Sequence, residues 1–416
     1  MPETAPPAHR RAFRVLLASE FVSLIGDRLA MVALVALVYD LTRSVSVVAA
    51  LMLLKAIPAV LLGGVAGSIV DRFDRKAVMV GANALQGLLV LLIPATSHLS
   101  VVVTAYLAMS VVNQFFLPAR AATIPDLVPP TDLLAANSRF GLAFVTAIAV
   151  GPAVGGWVAD RFGLAMAFYV DSATFLIPAL AVAAVTLPAR PPRQQAHARG
   201  PGHTVLADTT EAVRHARADR HTRTALTAAA GAALVIAVMS VLGVVVAQDT
   251  LGLSVAGYGL MMSAMGAGML VTALVVGSSR SGRRRSDKAP AVGLLLTGGG
   301  LAILPWLTTL APALACSALI GAGVLTVQIS TQTTLQSSSP DLRARLLSLG
   351  QSVTGLAQIT AILLTAVLTG AIGASWVLCG TGIAVAAVGL ALSATPSPPT
   401  VAPRMSPATH PEGPLS

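Results

Sequence analysis

Residues 45–76 read VSVVAALMLLKAIPAVLLGGVAGSIVDRFDRK. A long apolar run, broken only by Lys55, ends in a dense charged turn at Asp71, Arg72, Asp74, Arg75 and Lys76, and no Asp, Glu, Lys or Arg follows until Arg120. A helix crosses the ~30 Å hydrocarbon core of a bilayer with about 20 residues. The run before the turn therefore holds one crossing, and the interval after it holds two. The same reading applies to the uncharged intervals Arg223 to Asp249, Asp249 to Arg280, Lys288 to Asp341 and Arg345 to Arg404.

Working outward, the chain of 416 residues is 55% apolar and only 11% charged. Soluble domains carry about 25% charged residues, so too little polar surface exists to cover a water-facing globule. The predicted fold is an all-α membrane protein with twelve transmembrane helices at 15–38, 45–69, 77–95, 100–119, 138–159, 163–186, 225–247, 256–278, 290–309, 312–335, 346–369 and 374–394. The first run, Val15 to Val38, is too long for a signal-peptide core and lacks a cleavage site. The net charge of +10 does not indicate a nucleic-acid partner, because the basic residues fall between apolar spans. Cys316 and Cys379 sit inside spans without metal or disulfide spacing.

The basic residues also orient the chain. With a cytoplasmic N-terminus, only Arg43 and Arg161 fall outside the cell and only Arg28 and Lys55 fall deep within the spans, Arg139 standing at the cytoplasmic edge of its own. Every other Lys and Arg is then cytoplasmic, so both termini are expected in the cytoplasm of a cell-membrane protein. A loop at 188–224, rich in Pro, Arg and His, divides six spans from six, with a flexible start and a polar helix expected over Thr204 to Arg223. The expected organisation is a tail at 1–14, a six-helix bundle at 15–187, the linker, a second six-helix bundle at 225–394, and a disordered proline-rich tail at 395–416. Pro125-Asp126 and Pro340-Asp341 occupy corresponding connectors of the two halves, which fits a 6+6 internal repeat.

Charges at membrane depth are the first chemical candidates. Asp27 and Lys55 both fall near mid-span, and an unpaired charge there costs at least ~2.5–3.5 kcal/mol. They are expected to pair, with Arg28 competing. Glu20, Ser23 and Asp27 form one polar stripe, and Asp171 lies within span six. Asp27, Lys55, Glu20 and Asp171 are thus candidates for proton coupling, the alternative being permanent structural ion pairs. Polar stripes at helical spacing mark an expected wet cavity: Tyr106, Ser110, Asn113 and Gln114; Gln328 and Gln332; Gln351, Thr354 and Gln358.

The segment Gly67-Ser-Ile-Val-Asp71-Arg72-Phe-Asp74-Arg75-Lys76 resembles the loop signature of the major facilitator superfamily, with Asp74 in place of the second glycine. That replacement is similar to the branch holding macrolide-efflux and enterobactin-export transporters. Gly26-Asp27, the connector from Pro118 to Pro129 with Ala136-Asn137, and Gly151-Pro152-Ala-Val-Gly155-Gly156 resemble further motifs of that branch. Ala147 departs from the antiporter pattern, and the second-half loop from Gly277 to Arg285 is degenerate. The resemblance implies that the first loop gates the outward-facing state, with Asp71, Arg75 and Lys76 in a charge network between the halves. It also implies that the helix kinked at Pro152 belongs to an exporter working by antiport.

Together these readings describe a secondary active transporter exporting a small, hydrophobic or amphipathic compound by proton antiport through alternating access. The alternatives are an importer or uniporter on the same scaffold, and a non-transporting polytopic protein. No phosphate-binding G-x-x-x-x-G-K-[ST] loop occurs, and the seven histidines all lie in loops or tails without catalytic or metal spacing. The expected partners are protons, a small-molecule substrate and the lipid bilayer, for a monomer without cofactor or metal.

Overall fold

The structure, a computed structural model, describes residues 6–70, 72–96, 98–186, 205–278 and 288–394. The described chain is helical throughout its elements: α1 (Pro7–Thr42), α2 (Val45–Val70), α3 (Arg75–Leu91), α4 (Leu99–Leu127), α5 (Leu133–Phe162), α6 (Leu164–Ala183), α7 (Val205–Ala218), α8 (Arg220–Val245, extended by a π-turn to Thr250), α9 (Val255–Ser278), α10 (Ala289–Ile303), α11 (Leu310–Gln336), α12 (Pro340–Ile372) and α13 (Ala374–Ala394). Among the described residues, 10 helical segments are long and apolar enough to cross a membrane. The other two expected spans are also helical. In α2 the portion Val45–Pro58 is apolar, and α3 has 17 residues, about 25 Å at 1.5 Å per residue.

Local chemistry sets the boundaries. Asp74 caps α3 by accepting a hydrogen bond from the Ala77 N–H at 2.7 Å, and Pro340 occupies the first turn of α12, where its missing N–H costs nothing. The α5–α6 junction turns at Gly163 (φ 86°, ψ 157°) and the α12–α13 junction at Gly373 (φ 84°, ψ 156°). Two corresponding junctions thus use one left-handed conformation that a side chain rarely adopts.

Three boundaries differ from the sequence reading. The connector after Arg120 was expected as a loop, yet α4 continues to Leu127 through Pro118 and Pro125. Pro125 sits one turn past the Ala121 carbonyl and cannot donate to it, while the neighbouring Ala122 carbonyl accepts from Arg75 at 2.6 Å. Pro125-Asp126 therefore ends a helix whereas Pro340-Asp341 begins one, and the two pairs do not correspond structurally. The expected linker helix is α7, ending at Ala218, because Asp219 caps a new helix that begins at Arg220. The first span extends back to Pro7, into the expected N-terminal tail.

Packing divides the molecule into two ends. Near Arg43, where α1 meets α2, one continuous apolar core joins residues from before and after the linker, such as Val38 and Val48 with Leu242 and Val246. Near Asp74, where α2 meets α3, the core splits. One cluster there, including Phe13, Met79 and Phe140, is built only from α1–α6. The other, including Ala212, Leu226, Leu335 and Leu346, is built only from α7, α8, α11 and α12.

Helix α5 is wedged between α1 and α9. A Cβ at Gly155 would stand 2.5 Å from the Leu29 carbonyl oxygen, and one at Gly156 would stand 2.7 Å from that of Val255. Only a missing side chain allows backbones this close. The outer surface is apolar, with Leu61 at 69% and Leu180 and Val367 at 72% exposure. Trp157, Trp306 and Trp376 are exposed near the Arg43 end, and Trp306 packs edge-on against Trp376 at 5.4 Å. That is the pattern of an aromatic belt at a membrane–water interface.

Candidate functional site

Gly26 and Asp27 explain each other. Gly26 faces α6, where a Cβ would overlap the Thr174 hydroxyl and stand 2.5 Å from the Asp171 carboxylate. This contact draws α1 against α6, and the next residue, Asp27, turns toward a cavity of about 90 Å³ enclosed by α1, α2, α3, α4 and α6. Asp27, Arg28, Lys55 and Asp171 line it, with Gln86, Tyr106, Ser110 and Asn113. Asp27 and Lys55 are both exposed there despite lying in mid-helix.

The expected direct pairing of Asp27 with Lys55 does not occur. Among the described residues neither forms an ion pair within 4.0 Å, and the same holds for Arg28. Asp27 instead sits in the longer-range field of both cations. Both charges border this cavity and not lipid alone, which lowers the cost of leaving them unpaired at membrane depth. Asp171 is buried: its Oδ1 accepts from the Thr174 hydroxyl at 3.1 Å, and its Oδ2 has no partner. Arg28 lies over the Phe144 ring at 5.2 Å, and a Cβ at Gly151 would stand 2.5 Å from the Arg28 Cβ. The charged cavity therefore abuts α5 beside Pro152.

Glu20 is not part of this cavity. It is buried and paired with Arg120, whose guanidinium lies 5.6 Å from the Phe140 ring. Ser23 and Gln114 line neither described cavity, and the Gln114 carboxamide donates to the Ser110 carbonyl at 3.1 Å. The remaining polar stripes meet elsewhere. Gln328, Gln332, Gln351, Thr354 and Gln358 line a second cavity of about 510 Å³ between α8, α11 and α12. Among the described residues the stripes expected to line one wet path thus fall on separate cavities, one in each half.

In the kink motif, Gly151 and Gly155 face α1, and Gly156 faces α9. The Pro152 carbonyl lies where a Cβ on Gly259 would stand, so the two backbones pack closely, and the Ser263 hydroxyl accepts from the Ala153 N–H at 2.7 Å. In the charged loop, Asp71 lies outside the described residues, and Gly67 belongs to the last turns of α2. Arg72 and Asp74 are exposed, and Lys76 is half-buried without an ion pair within 4.0 Å among the described residues. Arg75 pairs with Asp126 at 2.6 Å, within its own half. The extension of α4 carries Asp126 back to Arg75, whereas the network between the halves that the resemblance implies belongs to the outward-facing state.

Sequence reasoning missed one contact altogether. The Tyr39 hydroxyl donates to Asp249, tying the end of α1 to the π-turn after α8. A lone aspartate between two apolar intervals was its only trace in the sequence.

A profile of the Major Facilitator Superfamily matches residues 16–361. An MFS-type transporter of Bacillus subtilis, YfiS, is 29% identical over 173 residues, 41% of this chain and 42% of that protein. Macrolide efflux protein A of Streptococcus pyogenes is 28% identical over 189 residues, 42% of this chain and 45% of that protein. The chain thus matches less than half the length of these curated relatives. Among solved structures, the inward-facing, unoccupied form of a bacterial homolog to the human lysosomal transporter Spinster superposes with a TM-score of 0.72 at 13% identity, covering 94% of this chain and 96% of that one.

Proposed function

The chain belongs to the Major Facilitator Superfamily, a family of multi-pass membrane transporters and not of enzymes, and on that premise we propose that it exports a small, hydrophobic or amphipathic compound in exchange for protons. Twelve spans form two six-helix bundles, 15–187 and 225–394, joined by the 188–224 linker. The matching turns at Gly163 and Gly373 support that division. Both termini and the Asp74 end face the cytoplasm of the cell membrane, as the distribution of Lys and Arg favours. The Arg43 end, with its shared core, is then closed, and the Asp74 end, with its separate cores, is open inward.

One observation carries the reading: Asp27 is a carboxylate in mid-helix, open to a cavity and, among the described residues, held by no ion pair within 4.0 Å. Such a group can take up and release a proton without breaking a salt bridge. Protonation changes the balance among Asp27, Arg28, Lys55 and Asp171, and it drives alternation if the two states hold that proton unequally. The similarity to macrolide efflux protein A favours export, as does the Gly-Pro-x-x-Gly-Gly sequence at 151–156. The test is uptake into inverted membrane vesicles energised with an inward-acid pH gradient. Accumulation that collapses on adding nigericin is expected, whereas accumulation only by right-side-out cells would identify an importer.

A further inference from the structure

The two cavities differ in chemistry as well as size. All ionisable groups line the smaller one, whose volume of about 90 Å³ accommodates a few waters but no drug-sized compound. The larger cavity, about 510 Å³, carries no Asp, Glu, Lys, Arg or His on its walls. Its size falls within the roughly 300–1,000 Å³ of small-molecule pockets.

Four carboxamides, Gln328, Gln332, Gln351 and Gln358, project from α11 and α12 onto that cavity, opposite an apolar wall of α8 that includes Ala229, Ala233 and Ile236. Among the described residues none of the four forms a hydrogen bond with the protein. Gln328, Gln332 and Gln351 are exposed. Each carboxamide offers both donors and acceptors without formal charge. A charged ligand would enter here without a counter-ion, whereas an uncharged molecule with hydroxyl and carbonyl groups on an apolar body would find a partner for each face.

Resting on the exporter reading, we infer that the α8–α11–α12 cavity is the cargo site, that it takes an uncharged, oxygen-rich amphiphile, and that it is separate from the ionisable cavity of the first half. The cargo and the ion then occupy different bundles, and their coupling runs through the contact between α5 and α9.

The experiment is equilibrium binding to the purified full-length protein in nanodiscs without a gradient, so it is independent of direction and coupling ion, which the vesicle experiment reads. Three probes are compared: chloramphenicol (uncharged, with hydroxyl and amide groups), tetraphenylphosphonium (cationic) and naproxen (anionic). Chloramphenicol is expected to bind most tightly. Gln332→Leu and Gln351→Leu should each weaken it by about 3- to 10-fold, as loss of one neutral hydrogen bond implies, with unchanged melting temperature. Gln358→Glu should weaken chloramphenicol and strengthen tetraphenylphosphonium, a gain that misfolding cannot produce. Absence of chloramphenicol binding, binding insensitive to all three substitutions, or tighter binding of either charged probe by the unaltered protein would overturn the assignment.

Discussion

Tyr39 and Asp249 are 210 residues apart in the chain, yet the phenol of one donates to the carboxylate of the other. The contact ties the end of α1 to the turn after α8 at the Arg43 end of the molecule. Around it, Arg43 stacks 5.6 Å from the Tyr39 ring and pairs with Asp40 at 3.3 Å. A hydrogen bond to a charged acceptor contributes about 1.5–3 kcal/mol, which is comparable to the difference between two alternating states. Tyr39→Phe, which keeps the ring, should therefore shift the population toward the state open at that end by roughly tenfold or more. Spin labels at positions 43 and 250 would read the shift as a longer distance component. An unchanged distance distribution would remove Tyr39 from the closure.

The α5 wedge makes a contrast between two glycines of one helix. Gly155→Ala places a methyl 2.5 Å from the Leu29 carbonyl oxygen, whereas nothing lies within 4 Å of a Cβ at Gly141. Overpacking should cost Gly155→Ala about 1–3 kcal/mol. Gly141→Ala should gain about 0.5–1 kcal/mol from helix preference. Thermal unfolding in detergent should thus move in opposite directions for the two variants, and equal shifts would contradict the close α1–α5 approach.

Asp219 supplies a pH-dependent element at the junction of α7 and α8. Burial alone would raise its carboxyl, but hydrogen bonds from the Thr222 hydroxyl at 2.6 Å and the Thr222 N–H at 2.8 Å, with His221 nearby, hold it below the ordinary carboxylate range. A lowered value in the folded state means that the cap is fully stabilising above the unfolded value, about 3.9, and weakens as pH falls through the folded one. Asp219→Ala should cost about 0.5–2 kcal/mol of local stability at neutral pH. Hydrogen exchange over residues 220–224 should be faster in the variant at pH 7, with the difference shrinking below pH 4. A difference that persists undiminished in acid would assign the effect to something other than this carboxylate.

Much of the helical layout was legible because charge-free intervals of membrane length leave few alternatives. Hence α8, α9, α11 and α13 fall close to their expected ranges. The fourth span, expected over 100–119, in fact runs on through Pro125 to Leu127, past Arg120, where the expectation places a connector. Pairings across the molecule were less legible, because periodicity places a residue on a face but does not name the face opposite. Asp27 and Lys55 were marked by their depth, yet the cavity between them depends on how α1, α2 and α6 converge. The glutamine stripes of α11 and α12 were visible as stripes. That they meet each other, and not the charged cavity, follows from the packing of α8, which no local pattern encodes.

The most direct measurement places Asp27→Asn in proteoliposomes beside the unaltered protein and follows chloramphenicol both in exchange between equal concentrations and in net movement against a pH gradient. Asparagine keeps the size and polarity of the side chain but cannot carry the proton. The expected result is that exchange survives while gradient-driven movement disappears. Gradient-driven movement at the full rate of the unaltered protein would contradict the assignment of Asp27 as the proton carrier.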